Sequence, residues 1–222
     1  MTESRPAILF DVDGTLVDTN WLHTLSWWRT LQKAGHDIAM SRIHPLIGMG
    51  SDHLLTELLG EAPEGLRDAH TEEYKPLKEE LHAFPKAAEI LQEVDRRGAR
   101  VVLATSSKKD DVPELCDAIG AGDTVDHVVN GSDVDATKPS PDIFAVALEQ
   151  LGLAPDRTLV VGDTVWDVEA AGKLGIPVVC VLTGGATRAQ LEDRGAAAVY
   201  EDVADLLDHL DDSPLAALLD QS

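Results

Sequence analysis

Short apolar runs alternate with amphipathic segments over most of the chain. Six of these runs predict strands, at residues 7–10, 101–104, 127–129, 158–161, 177–182 and 197–200. Two stretches between them, at residues 86–97 and 141–151, carry apolar residues every three or four positions and predict helices. Gly98 and Gly152 follow these stretches, where helices commonly end. The alternation predicts an α/β fold, in which helices cover both faces of a parallel sheet.

Residues 18–85 interrupt this alternation with three helical patterns. The first ends near Gly35, and the second begins at Ser51, which we expect to N-cap it. The third covers residues 64–81, where Pro76 should kink or split the helix. We therefore expect an all-helical insertion, called the cap below, at residues 18–85. The core domain would then consist of residues 1–17 and 86–222.

The end of the chain is acidic. Its last 22 residues contain seven acidic residues and no Lys or Arg. Leu206, Leu207 and Leu210 predict a terminal helix with an acidic exposed face. We expect the tail after Pro214 to fray.

The composition indicates a packed core under an acidic surface. The 222 residues are 44% hydrophobic, and 40 Asp and Glu outnumber 18 Lys and Arg, for a formal net charge of −22. Such a surface repels nucleic acids and anionic membranes, so we expect neither as a partner, and solubility is the simplest role of the charge. No apolar stretch reaches the ~18 residues of a membrane span, and the first apolar run is too short for a signal peptide, so we expect a cytoplasmic protein. The two cysteines have neither metal-site nor disulfide spacing, and no pattern indicates an oligomeric state.

Polar residues follow four of the predicted strands, at the points where those strands end. In chain order they are Asp11 and Asp13, then Thr105 and Ser106, then Lys138 after a loop, and finally Asp163 and Asp167. Because the carboxyl ends of parallel strands meet at one edge of a sheet, we expect these side chains to converge.

This set of side chains suits phosphoryl transfer. Carboxylates held close together need a compensating cation, and ligands that are all oxygen favour Mg²⁺. A carboxylate can also attack phosphorus and form an aspartyl-phosphate. Lys138, the Thr105 hydroxyl and the N–H groups of a helix opening at Ser106 can neutralise the phosphoryl oxygens. Gly14 allows a tight turn beside the ligand.

The segment Asp11-Val12-Asp13-Gly14-Thr15 resembles the first motif of the haloacid dehalogenase-like (HAD) superfamily. Thr105 resembles its second motif, Lys138 in Lys-Pro-Ser-Pro-Asp its third, and Gly162-Asp163 with Asp167 its fourth. The resemblance covers essentially the whole chain, including the cap. It implies a Rossmann-like core and a Mg²⁺-dependent phosphatase that hydrolyses a small phosphorylated metabolite, a phosphomonoester, through an aspartyl-phosphate.

The resemblance also implies roles for individual residues. Asp11 is the expected nucleophile and metal ligand, and Asp13 is the expected general acid and base, with its backbone carbonyl on the metal. Thr105 and Lys138 would hold the transferring phosphoryl group. Asp163 would complete the metal shell, with Asp167 bound directly or through water.

Further residues are expected to contact the substrate, namely Gly14, Thr15, Ser106 and His23. A packed histidine is the simpler interpretation of His23, which lies among tryptophans. Trp28 and the turn at residues 48–51 are candidates for setting specificity. Asp13 must start the reaction protonated, and we expect burial under the closed cap to raise its pKa.

Three alternatives are weighed against hydrolysis. Dehalogenating relatives lack the second acid of the first motif, which is present here as Asp13. β-Phosphoglucomutases are similar at Thr19 and His23, but the cap arginine that binds their second phosphate corresponds to Ser51, which favours hydrolysis over a sugar-phosphate mutase. A non-catalytic interaction protein on the same scaffold is disfavoured, because the nucleophile, the lysine and the metal acids are all present.

Overall fold

The strands of this computed structural model, which describes residues 5–134 and 138–219, all run parallel. They form a six-stranded sheet in the order β3-β2-β1-β4-β5-β6. Their bounds are β1 Ala7–Phe10, β2 Arg100–Ala104, β3 His127–Val129, β4 Thr158–Gly162, β5 Val178–Val181 and β6 Ala198–Tyr200. The first strand is central, since Phe10 pairs with Leu103 on one side and Val161 on the other. The predicted strands are confirmed to within one residue at each end.

Helices connect the strands. Their bounds are α1 Asn20–Lys33, α2 Met40–Ile43, α3 Ser51–Leu59, α4 Leu66–Tyr74, α5 Ala87–Arg96, α6 Val112–Ile119, α7 Asp142–Leu151, α8 Val165–Gly172, α9 Arg188–Asp193, α10 Val203–Asp208 and α11 Pro214–Leu219. None of the helices in the described ranges is long and apolar enough to cross a membrane.

Both faces of the sheet are buried under helices. Ile8 and Phe10 of β1 point to one face, where they join apolar residues of α5, α6, α10 and α11. Ala7 and Leu9 point to the other face, where α7, α8 and α9 pack. Burial on both faces explains why the strands are mostly apolar, and it confirms the predicted α/β class with a Rossmann-like sheet.

The segment between β1 and α5 is helical and has an apolar cluster of its own. Trp27 and Leu31 of α1 pack there with Ile43, Leu54 and Leu55 of the following helices. The third predicted helix is split as expected, because α4 ends at Tyr74 and a 3₁₀ segment, Lys75–Glu80, contains Pro76. The division into a core and a cap at residues 18–85 stays a prediction.

Two local expectations were wrong. Ser51 is the first helical residue of α3, and the N-cap is Gly50, whose backbone N–H donates to the Lys138 carbonyl 3.1 Å away. That bond fixes the extended residue before the helix, so Ser51 enters the first turn instead of capping it. The tail after Pro214 does not fray within the described residues, because Leu215, Leu218 and Leu219 of α11 are buried in the core.

Candidate active site

The carboxyl end of the central strand places Asp11 at the floor of the site. Its backbone N–H donates to the Val161 carbonyl at 2.8 Å, which continues the pairing of β1 with β4 by one residue. Lys138 reaches the same point from the loop before α7, and its Nζ lies 2.6 Å from Asp11 Oδ1 and 2.7 Å from Asp167 Oδ1. The lysine is 1% exposed, so both contacts are made out of water.

Three buried carboxylates form a compact cluster around this lysine. Asp11, Asp163 and Asp167 each offer one oxygen, and these oxygens all lie within 4.8 Å of one another. Three carboxylates and one ammonium carry a formal charge of −2 when all are ionised, and buried charge must be compensated. A divalent cation that prefers oxygen ligands would neutralise this cluster, so the residues present fit Mg²⁺ in charge and in donor type.

The electrostatic shifts within the cluster follow from burial and crowding. Burial raises the pKa of Asp11 well above its usual value; Lys138 opposes this, and the neighbouring acids add to it. Burial and the Asp167 carboxylate raise the pKa of Asp163 to about 7, against hydrogen bonds from Asn20 and Thr15. Burial alone would lower the pKa of Lys138, but Asp11 and Asp167 hold it above its usual value. The raised pKa values of Asp11 and Asp163 show that the positive charge of Lys138 does not fully compensate the buried carboxylates.

Neighbouring side chains orient the two acids that follow β4. Asp163 accepts hydrogen bonds on both oxygens, from Thr15 Oγ1 at 3.0 Å and from Asn20 Nδ2 at 2.8 Å. Asp167 uses Oδ2 to accept from the backbone N–H and the hydroxyl of Thr164, which completes a capping box at the start of α8. Its Oδ1 remains on Lys138. Asp167 therefore caps a helix and belongs to the cluster at the same time.

Asp13 is not part of the three-carboxylate cluster and has partners of its own. Its Oδ1 accepts from Thr19 Oγ1 at 2.9 Å and lies 3.4 Å from His23 Nε2, while its Oδ2 accepts from Thr105 Oγ1 and Ser107 Oγ, both at 3.0 Å. Burial favours the neutral acid, but these hydrogen bonds and the His23 ring outweigh it and hold the pKa of Asp13 below its usual value. The expectation that burial raises this pKa was wrong, because it ignored the donors around the carboxylate.

The loop after β2 also differs from its expected form. No helix opens at Ser106 in the described structure; α6 begins at Val112, after a 3₁₀ turn at Lys109–Asp111. The Thr105 hydroxyl accepts from the Ser107 backbone N–H at 3.0 Å, which curls the chain into a turn instead of a helix start. Ser106 Oγ is buried and has no hydrogen-bond partner among the described residues.

Gly14 and Thr15 lie behind the acidic cluster. Gly14 has a φ of +81°, and a Cβ there would be 2.3 Å from both Asn20 Nδ2 and Asp163 Oδ2. The two backbone N–H groups donate within the turn, to Val17 and Val12, and the Thr15 hydroxyl is engaged by Asp163. Both residues thus lie where they shape and orient the acids.

A cavity of about 410 Å³ separates the strand ends from the helices of residues 20–80. Its lining includes Asp13, His23, Ser106 and the turn at residues 48–51. One wall consists of stacked rings, with His23 on Tyr74 at 4.1 Å and Trp27 on His70 at 4.0 Å between centroids.

Trp28, a candidate for setting specificity, does not lie at the cavity, whereas its neighbour Trp27 does. Trp27 lines the cavity, whereas Trp28 does not and packs against the apolar cluster of the helical segment. Adjacent side chains on a helix point about 100° apart, and the apolar pattern of α1 does not show which of the two tryptophans faces the strand ends.

Several cavity residues were missed from the sequence. They include His70 and Tyr74, which are four residues apart on α4, and four basic residues, Arg67, Lys75, Lys78 and Lys108. The spacing of His70 and Tyr74 is helical, but nothing in the local sequence indicates that α4 faces the strand ends. The amide of Asn20 and the hydroxyl of Ser107 were also missed, since single polar residues carry no spacing signal.

Comparisons with known proteins agree with this geometry. Residues 6–175 match the family model of the haloacid dehalogenase-like hydrolases. The chain is 31% identical over 216 residues to the protein CbbY of Cereibacter sphaeroides, covering 90% of this chain and 93% of that protein. It is 30% identical over 222 residues to a phosphoglycolate phosphatase of Rhodospirillum rubrum, covering 92% and 90%. The crystal structure of a hydrolase from Pseudomonas syringae superposes with a TM-score of 0.87 at 34% identity, covering 94% of this chain and 99% of that one.

Proposed function

The chain belongs to the haloacid dehalogenase-like hydrolases, and we propose that it is a Mg²⁺-dependent phosphatase that hydrolyses a small phosphomonoester. One observation carries this proposal: the buried cluster of Asp11, Asp163 and Asp167 is closed by Lys138 at the strand ends, and Asp13, two residues after Asp11, lines a cavity of about 410 Å³. A cavity of this size holds a metabolite but not a macromolecule. The related phosphoglycolate phosphatase bears a name consistent with this substrate class.

Asp11, Asp163 and Asp167 would hold the metal ion through their side chains. The backbone carbonyl of Asp13 is the further ligand that the family resemblance implies. When bound, Mg²⁺ supplies positive charge that offsets the negative charge of the phosphoryl oxygens. Lys138 contributes a second positive charge, and its two carboxylate contacts fix its position.

In the first chemical step, a carboxylate oxygen of Asp11 attacks phosphorus and forms an acyl phosphate bond. The bond from phosphorus to the ester oxygen breaks, and Asp13 donates its proton to the departing alkoxide. In the second step, Asp13 takes a proton from water as the water oxygen attacks phosphorus. The bond to Asp11 then breaks, which releases inorganic phosphate and regenerates both acids.

Substrate binding must restore the proton on Asp13, because its surroundings in the free protein stabilise the carboxylate. A phosphate dianion beside Asp13 raises its pKa through like-charge repulsion. We also propose that Thr105 turns its hydroxyl from Asp13 Oδ2 to the phosphoryl group, which removes one of the hydrogen bonds that favour ionised Asp13. Ser106, whose hydroxyl has no partner among the described residues, is a further donor to substrate.

The test is hydrolysis of p-nitrophenyl phosphate and of a panel of small phosphate esters, with and without Mg²⁺. We expect activity that requires Mg²⁺, and we expect Asp11→Asn to abolish it without loss of folding, because an amide cannot serve as the nucleophile. Asp156→Asn is the matched control, since Asp156 is exposed just before the amino end of β4, at the end of the strands opposite the site.

Two results would contradict the proposal. Full turnover by Asp11→Asn in Mg²⁺ would remove the nucleophile assignment. Isomerisation of a hexose 1-phosphate primed by a bisphosphate, in place of phosphate release, would identify a mutase.

A further inference from the structure

We propose that Asn20 is a positioning residue for the metal site, whose side-chain amide holds Asp163 in its ligand orientation and ties the first helix of the predicted cap to the cluster. This inference rests on the proposed function, since it assumes that Asp163 binds Mg²⁺. Asn20 is not adjacent to any of the four sequence motifs that suggested the site.

The first support is the hydrogen bond itself. Asn20 Nδ2 donates to Asp163 Oδ2 at 2.8 Å, and Asn20 is 2% exposed. Thr15 Oγ1 donates to the other oxygen at 3.0 Å, so the carboxylate is held at both ends. Two neutral donors, one on each oxygen, prevent the carboxylate from rotating about the Cβ–Cγ bond. They do not neutralise its charge, so the carboxylate remains suited to bind a metal ion.

The second support is the shape of the slot that holds this pair. A Cβ on Gly14 would lie 2.3 Å from both Asn20 Nδ2 and Asp163 Oδ2, and a Cβ on Gly184 would lie 1.9 Å from Asp163 Oδ2. Two residues without side chains, from segments far apart in the chain, thus leave room for one amide–carboxylate contact. Packing this close prevents Asp163 from adopting another rotamer.

The third support is the other end of the amide. Asn20 Oδ1 is buried and has no hydrogen-bond partner among the described residues. A buried carbonyl oxygen without a donor is costly, and water bound to a cation is a donor of the kind that it lacks. Asn20 would then serve the metal site with both halves of its amide.

The position of Asn20 in the fold gives this contact a wider consequence. It is the first residue of α1, and the preceding Thr19 donates to Asp13 Oδ1 at 2.9 Å. Two successive residues at the start of the predicted cap therefore hold two different acids of the site. A change in the orientation of α1 would be felt at both acids.

The test measures Mg²⁺ binding directly, by isothermal titration of the metal into the protein without substrate. We expect Asn20→Ala to weaken Mg²⁺ binding about 10- to 100-fold, the usual effect of removing a group that orients a ligand. At saturating Mg²⁺ its kcat should return towards the wild-type value, because the reacting groups are intact. Asn20→Ser, whose side chain is too short to reach Asp163, is the second variant if Asn20→Ala does not fold.

Thr24→Val is the matched control. Thr24 is buried in the same helix, and its hydroxyl donates to the Asn20 carbonyl at 2.8 Å without touching Asp163. The control should lower the thermal midpoint but leave the Mg²⁺ dissociation constant unchanged.

Unchanged Mg²⁺ affinity in Asn20→Ala, or an equal loss of affinity in Thr24→Val, would overturn the proposal. A wild-type protein that binds Mg²⁺ but shows no phosphatase activity would overturn the proposed function, while the comparison of affinities would still decide the role of Asn20.

Discussion

The lack of a side chain at Gly184 leaves the space that the Asp163 carboxylate occupies. A Cβ at position 184 would lie 1.9 Å from Asp163 Oδ2, and the carboxylate has no room to retreat between Asn20 and Thr15. We expect Gly184→Ala to weaken Mg²⁺ binding and to lower the free energy of unfolding by about 1–3 kcal/mol through overpacking. Calorimetric titration of Mg²⁺ and urea denaturation measure the two effects.

Gly172→Ala provides the comparison for that change. Gly172 is the last residue of α8, and no atom lies within 4 Å of the position that its Cβ would take. This variant should bind Mg²⁺ normally and be as stable as the wild type or slightly more so, since alanine favours helix. Equal effects of the two substitutions would show that loss of glycine flexibility, and not contact with Asp163, causes the defect.

Asp163 should also link stability to pH in the metal-free protein. Its pKa rises from 3.8 to about 7 on folding, owing to burial and the Asp167 carboxylate. An acid with a raised pKa favours the folded state when protonated, so this contribution is lost as the pH rises from about 4 to about 7. Bound Mg²⁺ needs the ionised form and removes the penalty.

The increase in thermal midpoint on adding Mg²⁺ should therefore be larger near pH 8 than near pH 6, where protons compete for Asp163. Calorimetric scans with and without Mg²⁺ at both pH values measure this difference. An increase of the same size at both would show that protonation of Asp163 is not linked to metal binding.

At the scale of residues, the sequence correctly predicted which charged side chains lie together at the carboxyl ends of the strands. Asp11, Lys138, Asp163 and Asp167 were expected to meet from the order of strands, and the structure brings them together. The partners of these acids could not be predicted, because they depend on rotamers and on contacts between distant segments. Asn20 and Asp163 are separated by 143 positions, and no local pattern joins them.

At the scale of elements, prediction worked for the strands and for α5 and α7, and it was wrong at the starts of α3 and α6. The strands are short, mostly apolar runs, and polar residues follow the carboxyl ends of β1, β2 and β4, so their bounds were clear. Helix α6 begins six residues after Ser106, because the Thr105 hydroxyl accepts a hydrogen bond from the Ser107 N–H and closes a turn. The same hydroxyl donates to Asp13, a contact between distant segments that the local sequence does not show. Gly50 displaced Ser51 as N-cap through its bond to Lys138, which the local sequence does not reveal.

Helix α11 should be a structural element and not a dispensable tail. Leu215 is fully buried in the same apolar layer as α5 and α10. We expect Leu215→Ala to lower the free energy of unfolding by about 2–5 kcal/mol, the usual cost of a cavity in a core. Its kcat at a temperature where it remains folded should be unchanged, since no residue of α11 lines the cavity or belongs to the acidic cluster.

Ala217→Ser is the control on the same helix. Ala217 is exposed, so this change should alter the free energy of unfolding by less than about 0.5 kcal/mol. Urea denaturation of both variants measures the difference. Wild-type stability in Leu215→Ala would show that the end of the chain frays in solution, as the acidic pattern had suggested.

At the scale of the whole molecule, charge is distributed unevenly. The chain carries a formal net charge of −22, yet four basic side chains line the cavity, namely Arg67, Lys75, Lys78 and Lys108. Three of them are paired with carboxylates: Arg67 with Asp52 at 3.2 Å, Lys75 with Glu72 at 2.6 Å, and Lys78 with Asp111 and Glu114 at 2.6 and 2.7 Å. Lys108 is engaged by the Thr71 hydroxyl at 3.2 Å, so its charge is not offset by that neighbour.

A phosphate ester therefore meets two fields of opposite sign on its way to the site. The excess of acids repels it at long range, whereas Lys108, Lys138 and the bound metal attract it only within a few ångströms. Salt screens charges beyond about 10 Å at 0.1 M ionic strength and leaves contacts inside the cavity largely intact. We expect kcat/KM at saturating Mg²⁺ to rise modestly with ionic strength, while kcat, which describes the complex after the ester has bound, stays constant.

Lys108→Gln should have a lower kcat/KM than the wild type at low salt and a steeper rise of kcat/KM with salt, because the substitution removes attraction but not repulsion. If kcat/KM instead falls with salt in the wild type and the fall is smaller in Lys108→Gln, then the cavity attracts substrate from a distance and the net charge of the chain does not govern encounter.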